Sequence, residues 1–223
     1  MCRFCLDQVF LERGWNIVNH SAVILAAGKG VRMRSQIPKV LHLVAGKPIV
    51  WYVVNAVREA GINDINLVVG YGRDKVEKAL AGENLRFVIQ EQQLGTGHAL
   101  MQAQQSVNPD STIIVLAGDT PLLQAETIKK LLDYHHQQKA QATVLSAILT
   151  EPYGYGRIIR EADNGLNYIV EEKDASPEEK LVTEINTGVY CFEAKTVFST
   201  LSKISTNNAQ GEYYLTGVFP ILK

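Results

Sequence analysis

The chain has 223 residues, 46% of them hydrophobic, which suits one domain, or a large domain with a small lobe, built on a real core. A formal net charge of −1 offers no basic field for nucleic acid, and no apolar run approaches the ~18–20 residues of a membrane span. The three cysteines, Cys2, Cys5 and Cys191, suit a reducing, cytoplasmic setting, and Cys2-x-x-Cys5 lacks the second ligand pair that a zinc site needs.

Residues 1–20 read as an N-terminal extension, because Arg3, Asp7, Glu12 and Arg13 interrupt any signal-peptide core. Ala22–Ala27 reads as a buried strand. It ends in Gly28-Lys29-Gly30, with Arg32 just beyond and Pro38-Lys39 downstream. Glycines allow a tight bend and a close ligand. The N–H groups of a following helix would face an anion. With two cations nearby, the pattern points to a polyphosphate. It is not a dinucleotide fingerprint, because Met33 stands where a third glycine is required. Nor is it a P-loop, because Gly46-Lys47 is followed by Pro48. An ordinary strand-to-helix turn accounts for the segment equally well at this point.

Further elements alternate. Helices are expected over Ile49–Ala60 (ended by Gly61), Asp74–Leu80, Thr96–Ser106 and Ala125–Gln138. Strands are expected over Ile65–Val69, Arg86–Gln90, Ile113–Ala117 and Thr143–Leu149. This rhythm predicts an α/β fold, a mostly parallel sheet with helices on both faces. From 153 to 192 the pattern turns β-rich, with Gly156–Arg160, Leu166–Val170 and Thr187–Phe192 around the charged stretch Glu171–Glu184. That region is read as a small sugar-side lobe, with no clear second domain.

Gly118-Asp119 follows the strand ending at Ala117. Ligands of open α/β sheets sit beyond the carboxyl ends of strands, so Asp119 is expected to meet the glycine loop and to hold Mg²⁺ beside phosphate. A turn or cap role before Pro121 competes with that reading. Gln90 through Ala99 leads from a strand end into a helix. Its glutamine amide offers an acceptor and donors that match uracil, Gly95 and Gly97 admit close approach, and Thr96 is placed to cap the helix. A polar surface turn is the competing account. His135-His136 reads as a solvated helix face, and Glu171-Glu172-Lys173-Asp174 as a solvated loop.

Together, Leu25 through Met33, Pro38-Lys39-Val40-Leu41, Gln93 through Ala99 and Gly118-Asp119 resemble the sugar-1-phosphate nucleotidylyltransferases. Gly154 through Ile158, Glu184 through Gly188 and Asn208 through Tyr214 narrow the resemblance. They are similar to the N-terminal uridylyltransferase half of the bifunctional bacterial enzyme that makes UDP-N-acetylglucosamine (GlmU type). The resemblance implies a Rossmann-like nucleotide-diphospho-sugar transferase fold. It also implies uridylyl transfer from UTP to N-acetylglucosamine 1-phosphate, for cell-envelope precursors, with Mg²⁺ as cofactor.

By position, the resemblance places Leu25, Ala26, Ala27, Gly28, Ala117 and Gly118 against the nucleotide. It makes Arg32 and Lys39 the phosphate-holding catalytic cations, and gives Gln90, Gly95 and Thr96 to uracil and Asp119 to the metal. Gly156, Glu171 and Asn186 fall to the sugar. Position 117, alanine here, is usually tyrosine in the family. The family continues past residue 223 with a segment carrying a second metal ligand, an asparagine, and then a trimer-forming hexapeptide β-helix. The expectation is therefore a monomeric, C-terminally truncated nucleotidyltransferase domain over 21–223. A different sugar 1-phosphate, or an inactive nucleotide-sugar-binding fragment, is the alternative.

Overall fold

The computed structural model describes residues 19–30 and 33–222. Arg32, the Cys2–Cys5 pair and the expected extension as far as residue 18 lie outside them.

Strand β1 (His20–Ala26) starts the domain, two residues before its expected start. A 3₁₀ turn at Lys39–Leu41 and a short hairpin, β2 (Leu43–Val44) with β3 (Lys47–Pro48), lead into α1 (Ile49–Glu59). Then come β4 (Asp64–Val69), α2 (Arg73–Ala79), β5 (Arg86–Ile89), α3 (Thr96–Gln102) and β6 (Thr112–Ala117). After α4 (Ala125–Gln137) the chain runs through β7 (Ala142–Ile148), β8 (Arg157–Arg160) and β9 (Leu166–Val170). It closes with β10 (Glu184–Glu193), α5 (Ala194–Leu201) and a 3₁₀ segment at Leu215–Ile221.

Among the described residues eight strands form the main sheet, in the order β5-β4-β1-β6-β10-β8-β9, with β7 also on β10. β5, β4, β1 and β6 are parallel. The chain winds outward from β1 through β4 to β5, then crosses back to β6 on the other side. The crevice between the carboxyl ends of β1 and β6 is therefore the topological switch point. β10 returns antiparallel beside β6.

Alternation along β1 builds two cores. Ala22, Ile24 and Ala26 join α1, α2 and α4 residues on one face, whereas Val23 and Ala27 join α3, α5 and the 215–221 segment on the other. This is the period-2 packing of a strand buried on both sides. The β-rich stretch is not detached, since Ile185 of β10 pairs with Arg157 of β8, so the β8–β9 hairpin extends the main sheet. β10 shifts register between Asn186 and Tyr190, where Gly188 takes φ 79° and donates its N–H to Asn186 Oδ1 at 3.0 Å. Such a bulge re-aims a side chain locally. Among the described residues no helix is long and apolar enough to cross a membrane.

Candidate nucleotide and sugar site

The carboxyl ends of four parallel strands converge here. Gly118 N–H bonds Leu25 O at 2.9 Å, Tyr71 N–H bonds Ala27 O at 3.2 Å, and Gln90 N–H bonds Val69 O at 2.8 Å. These bonds hold Leu25, Ala26, Ala27 and Gly28 against Ala117, Gly118 and Asp119 on one side and Gly70 on the other. Among the described residues a Cβ on Gly28 meets nothing within 4 Å, so its backbone is open on that side.

Gly30 plays a different part from the one expected. It takes φ 58°, and a Cβ there would stand 2.7 Å from Lys39 Cβ. The glycine admits a cation-bearing segment rather than a ligand. Pro38 packs on Gly72 in the same way, where a Cβ would lie 2.5 Å from the proline ring. No α-helix follows the glycine loop before Ile49 among the described residues, where Met33 N–H bonds Gly30 O at 2.9 Å. A side chain brings positive charge to this crevice. Lys39 Nζ forms an ion pair with Asp119 across the β1/β6 crevice, both side chains partly exposed.

Asp119 is a lone carboxylate, and no cluster of three or more His, Cys, Asp or Glu able to hold a metal occurs among the described residues. This donor set fits a divalent ion of the Mg²⁺ kind, which takes one or two carboxylates and completes its shell with substrate phosphate oxygens and water. The Lys39 ammonium already sits where Asp119 receives positive charge.

The segment after β5 is ordered by distant chain. Gly97 N–H bonds Tyr213 O at 2.7 Å, and Tyr213 N–H bonds Leu94 O at 2.8 Å. A Cβ on Gly95 or Gly97 would come within 2.6 Å and 2.9 Å of Tyr213 O respectively. Both glycines thus make room for residues 212–215. Thr96 does not cap α3: its Oγ1 accepts the Leu215 N–H at 3.0 Å. Gln90 is 2% exposed. Its amide nitrogen donates to Gly95 O at 3.2 Å and lies 2.9 Å from His98 Nδ1. Both amide hydrogens are spent internally, and Oε1 has no partner among the described residues. The amide hydrogens expected to serve the base are engaged by Gly95 and His98. His98 belongs to this constellation, and its place inside the same Gln90–Ala99 segment is the sequence signal for it.

Gly156, Glu171 and Asn186 come together. Asn186 N–H bonds Gly156 O at 2.9 Å, and a Cβ on Gly156 would touch Glu171 Oε2 at 3.4 Å. Asn186 Nδ2 donates to the Tyr190 hydroxyl at 2.7 Å. Glu171 is not a solvated loop residue: its Oε1 accepts from Thr216 Oγ1 at 3.1 Å, and burial pushes its carboxyl above the usual range. A cleft of about 340 Å³ opens beside it, lined in part by Asp174, Asn208, Tyr214 and Thr216. The dipeptide Leu215-Thr216 ties the two halves of the site, one residue bonded to Thr96 and the next to Glu171.

His135 also departs from expectation. It is 1% exposed, with Nδ1 2.8 Å from Thr143 Oγ1 and Nε2 3.1 Å from Glu193 Oε1. It lies near the amino end of β6, far along the strand from the site.

Comparison with known proteins agrees with this geometry. The model of the MobA-like NTP transferase domain matches residues 22–166. The protein named Bifunctional protein GlmU from Syntrophomonas wolfei is 60% identical over 203 residues, covering 91% of this chain and 45% of that protein. Its namesake from Limosilactobacillus reuteri is 51% identical over 208 residues, covering 93% of this chain and 46% of that protein. The chain thus spans about half the length of these curated relatives. A structure of UDP-glucose pyrophosphorylase complexed with UDP-glucose shares the fold, with a TM-score of 0.74 at 18% identity over 92% of this chain and 86% of that one. The switch-point cradle, the sheet order and the matched span agree: this chain belongs to the MobA-like NTP transferase domain family.

Proposed function

We propose that the chain transfers the uridylyl group of UTP to N-acetylglucosamine 1-phosphate, forming UDP-N-acetylglucosamine and pyrophosphate. The observation that carries this reading is the Lys39–Asp119 pair at the β1/β6 switch point, beside the glycine loop whose Gly30 packs against Lys39. Similarity to the GlmU proteins, which covers most of this chain, supports the choice of substrates.

In this reading a phosphate oxygen of the sugar phosphate attacks the α-phosphorus of UTP. The new P–O bond forms as the α–β bridging bond breaks, and pyrophosphate leaves with the electron pair. The attacking oxygen is already anionic, so no general base or protein nucleophile is required. Catalysis rests on in-line positioning and charge neutralisation. Lys39 and Arg32 hold the triphosphate, and Leu25 through Gly28, Ala117 and Gly118 support the nucleoside. Gln90 Oε1 accepts from the ring N–H of uracil, a donor that cytosine lacks, while Gly95 and Thr96 flank the base. Gly156, Glu171 and Asn186 bind the sugar. Asp119 would hold Mg²⁺, which would supply neutralising charge to the phosphates.

The test is purified protein with UTP, N-acetylglucosamine 1-phosphate and Mg²⁺, read by pyrophosphate release. Release that requires all three is expected. Binding without turnover refutes the proposed activity, and faster release with another sugar phosphate refutes the acceptor.

A further inference from the structure

We propose that His98 is a positioning residue for base selection, holding the Gln90 amide so that only its oxygen faces the nucleobase. The inference rests on the uracil-reading role proposed above for Gln90. A carbonyl can only accept, so the amide atom 3.2 Å from Gly95 O is the NH₂ group. That same nitrogen stands 2.9 Å from His98 Nδ1. Nδ1 must then be the acceptor, which puts the imidazole proton on Nε2.

On the far side of the ring, Gln102 Nε2 lies 3.2 Å from His98 Nε2 and 3.2 Å from the His98 carbonyl. Two amide nitrogens thus compete for one neutral ring. Gln102 is half-buried and keeps the His98 carbonyl as its acceptor without the ring nitrogen, whereas Gln90 is 2% exposed and needs Nδ1 for its second amide hydrogen. The Gln90 side therefore sets the tautomer. Turning the Gln90 amide over would set its oxygen against Gly95 O and leave Nδ1 without a donor. It would also point NH₂ at the base, matching the ring acceptor of cytosine. The lock formed by His98 and Gly95 makes the reader an acceptor only.

The experiment compares UTP and CTP affinity by calorimetry, with kcat and KM for each nucleotide, in three variants. His98→Phe keeps a ring for the packing against Tyr213, whose centroid is 6.4 Å away, but removes the acceptor. His98→Asn keeps an acceptor near the Nδ1 position. Gln90→Ala removes the reader itself. We expect His98→Phe to lower the UTP:CTP preference about 3- to 10-fold, the worth of one net hydrogen bond. The change should fall on affinity and KM rather than on kcat with saturating UTP, and His98→Asn should restore the preference.

An unchanged preference in His98→Phe, with Gln90→Ala having abolished it, overturns the positioning role alone. Equal losses on both nucleotides, or no rescue by asparagine, mean a packing role and also overturn it. An unchanged preference in Gln90→Ala overturns the reading of Gln90 and this inference with it.

Discussion

Lys39→Ala separates the catalytic from the structural worth of one ion pair. The Lys39 and Asp119 side chains are 37% and 29% exposed, so solvent screens their attraction. A partly exposed pair contributes about 0–1 kcal/mol to stability. Alanine retains the Cβ that packs on Gly30, so the loop geometry survives. For a domain of this size that loss moves Tm by about 2–4 °C at most. Turnover is another matter, because a positioned cation acts on charge that grows in the transition state. Removing one preorganised donor of that kind costs about 10²–10³ in kcat, or about 2.7–4 kcal/mol. The assay is pyrophosphate release beside a thermal melt. A kcat within about tenfold of wild type would refute the catalytic role, since one such donor should cost more. A collapse of Tm with activity falling only in proportion to unfolded protein would show that the pair is structural.

Asp119→Asn removes the carboxylate but keeps its size. Activity should fall, and the Mg²⁺ concentration for half-maximal rate should rise; an unaltered Mg²⁺ titration would remove Asp119 from the metal site. Burial raises the Glu171 pKa above its unfolded value of 4.5, so ionising it in the fold costs stability as pH rises through the raised value. Glu171→Gln should therefore be more stable than wild type in urea at neutral pH, the gain fading below pH 4.5. A gain of the same size at both pH values would contradict this. His135 runs the opposite way: burial lowers its pKa from 6.5, so the unfolded chain takes up the proton first and stability falls as pH drops below 6.5. His135→Asn should flatten that part of the pH–stability curve, and an unchanged slope would assign the acid loss to other groups.

The alternation of short apolar strands with amphipathic helices was legible before any coordinates, because each element's period depends only on its neighbours in sequence. β1, β4, β6 and α1 accordingly start and stop within about two residues of expectation. The meeting of the glycine-loop strand end with the Gly118-Asp119 end of β6 also followed, through the rule that α/β sheets bind ligands at strand ends. Roles that depend on contacts more than a hundred residues apart did not. Thr96 reads locally as a cap, yet Leu215 claims its oxygen. Gly95 and Gly97 read as room for a ligand, yet on the side a Cβ would occupy they make room for Tyr213.

Charge misled for the same reason. Glu171 sits in an acidic run and His135 on a polar helix, but partners from the 215–221 segment and from β10 bury them. Residue identity and spacing carry the strand, the turn and the list of chemically able side chains. Which donors of Gln90 are already spent, and what a glycine makes room for, is decided only when segments far apart in the chain pack together. Burial and hydrogen-bond pairing are properties of that packing, not of the local sequence.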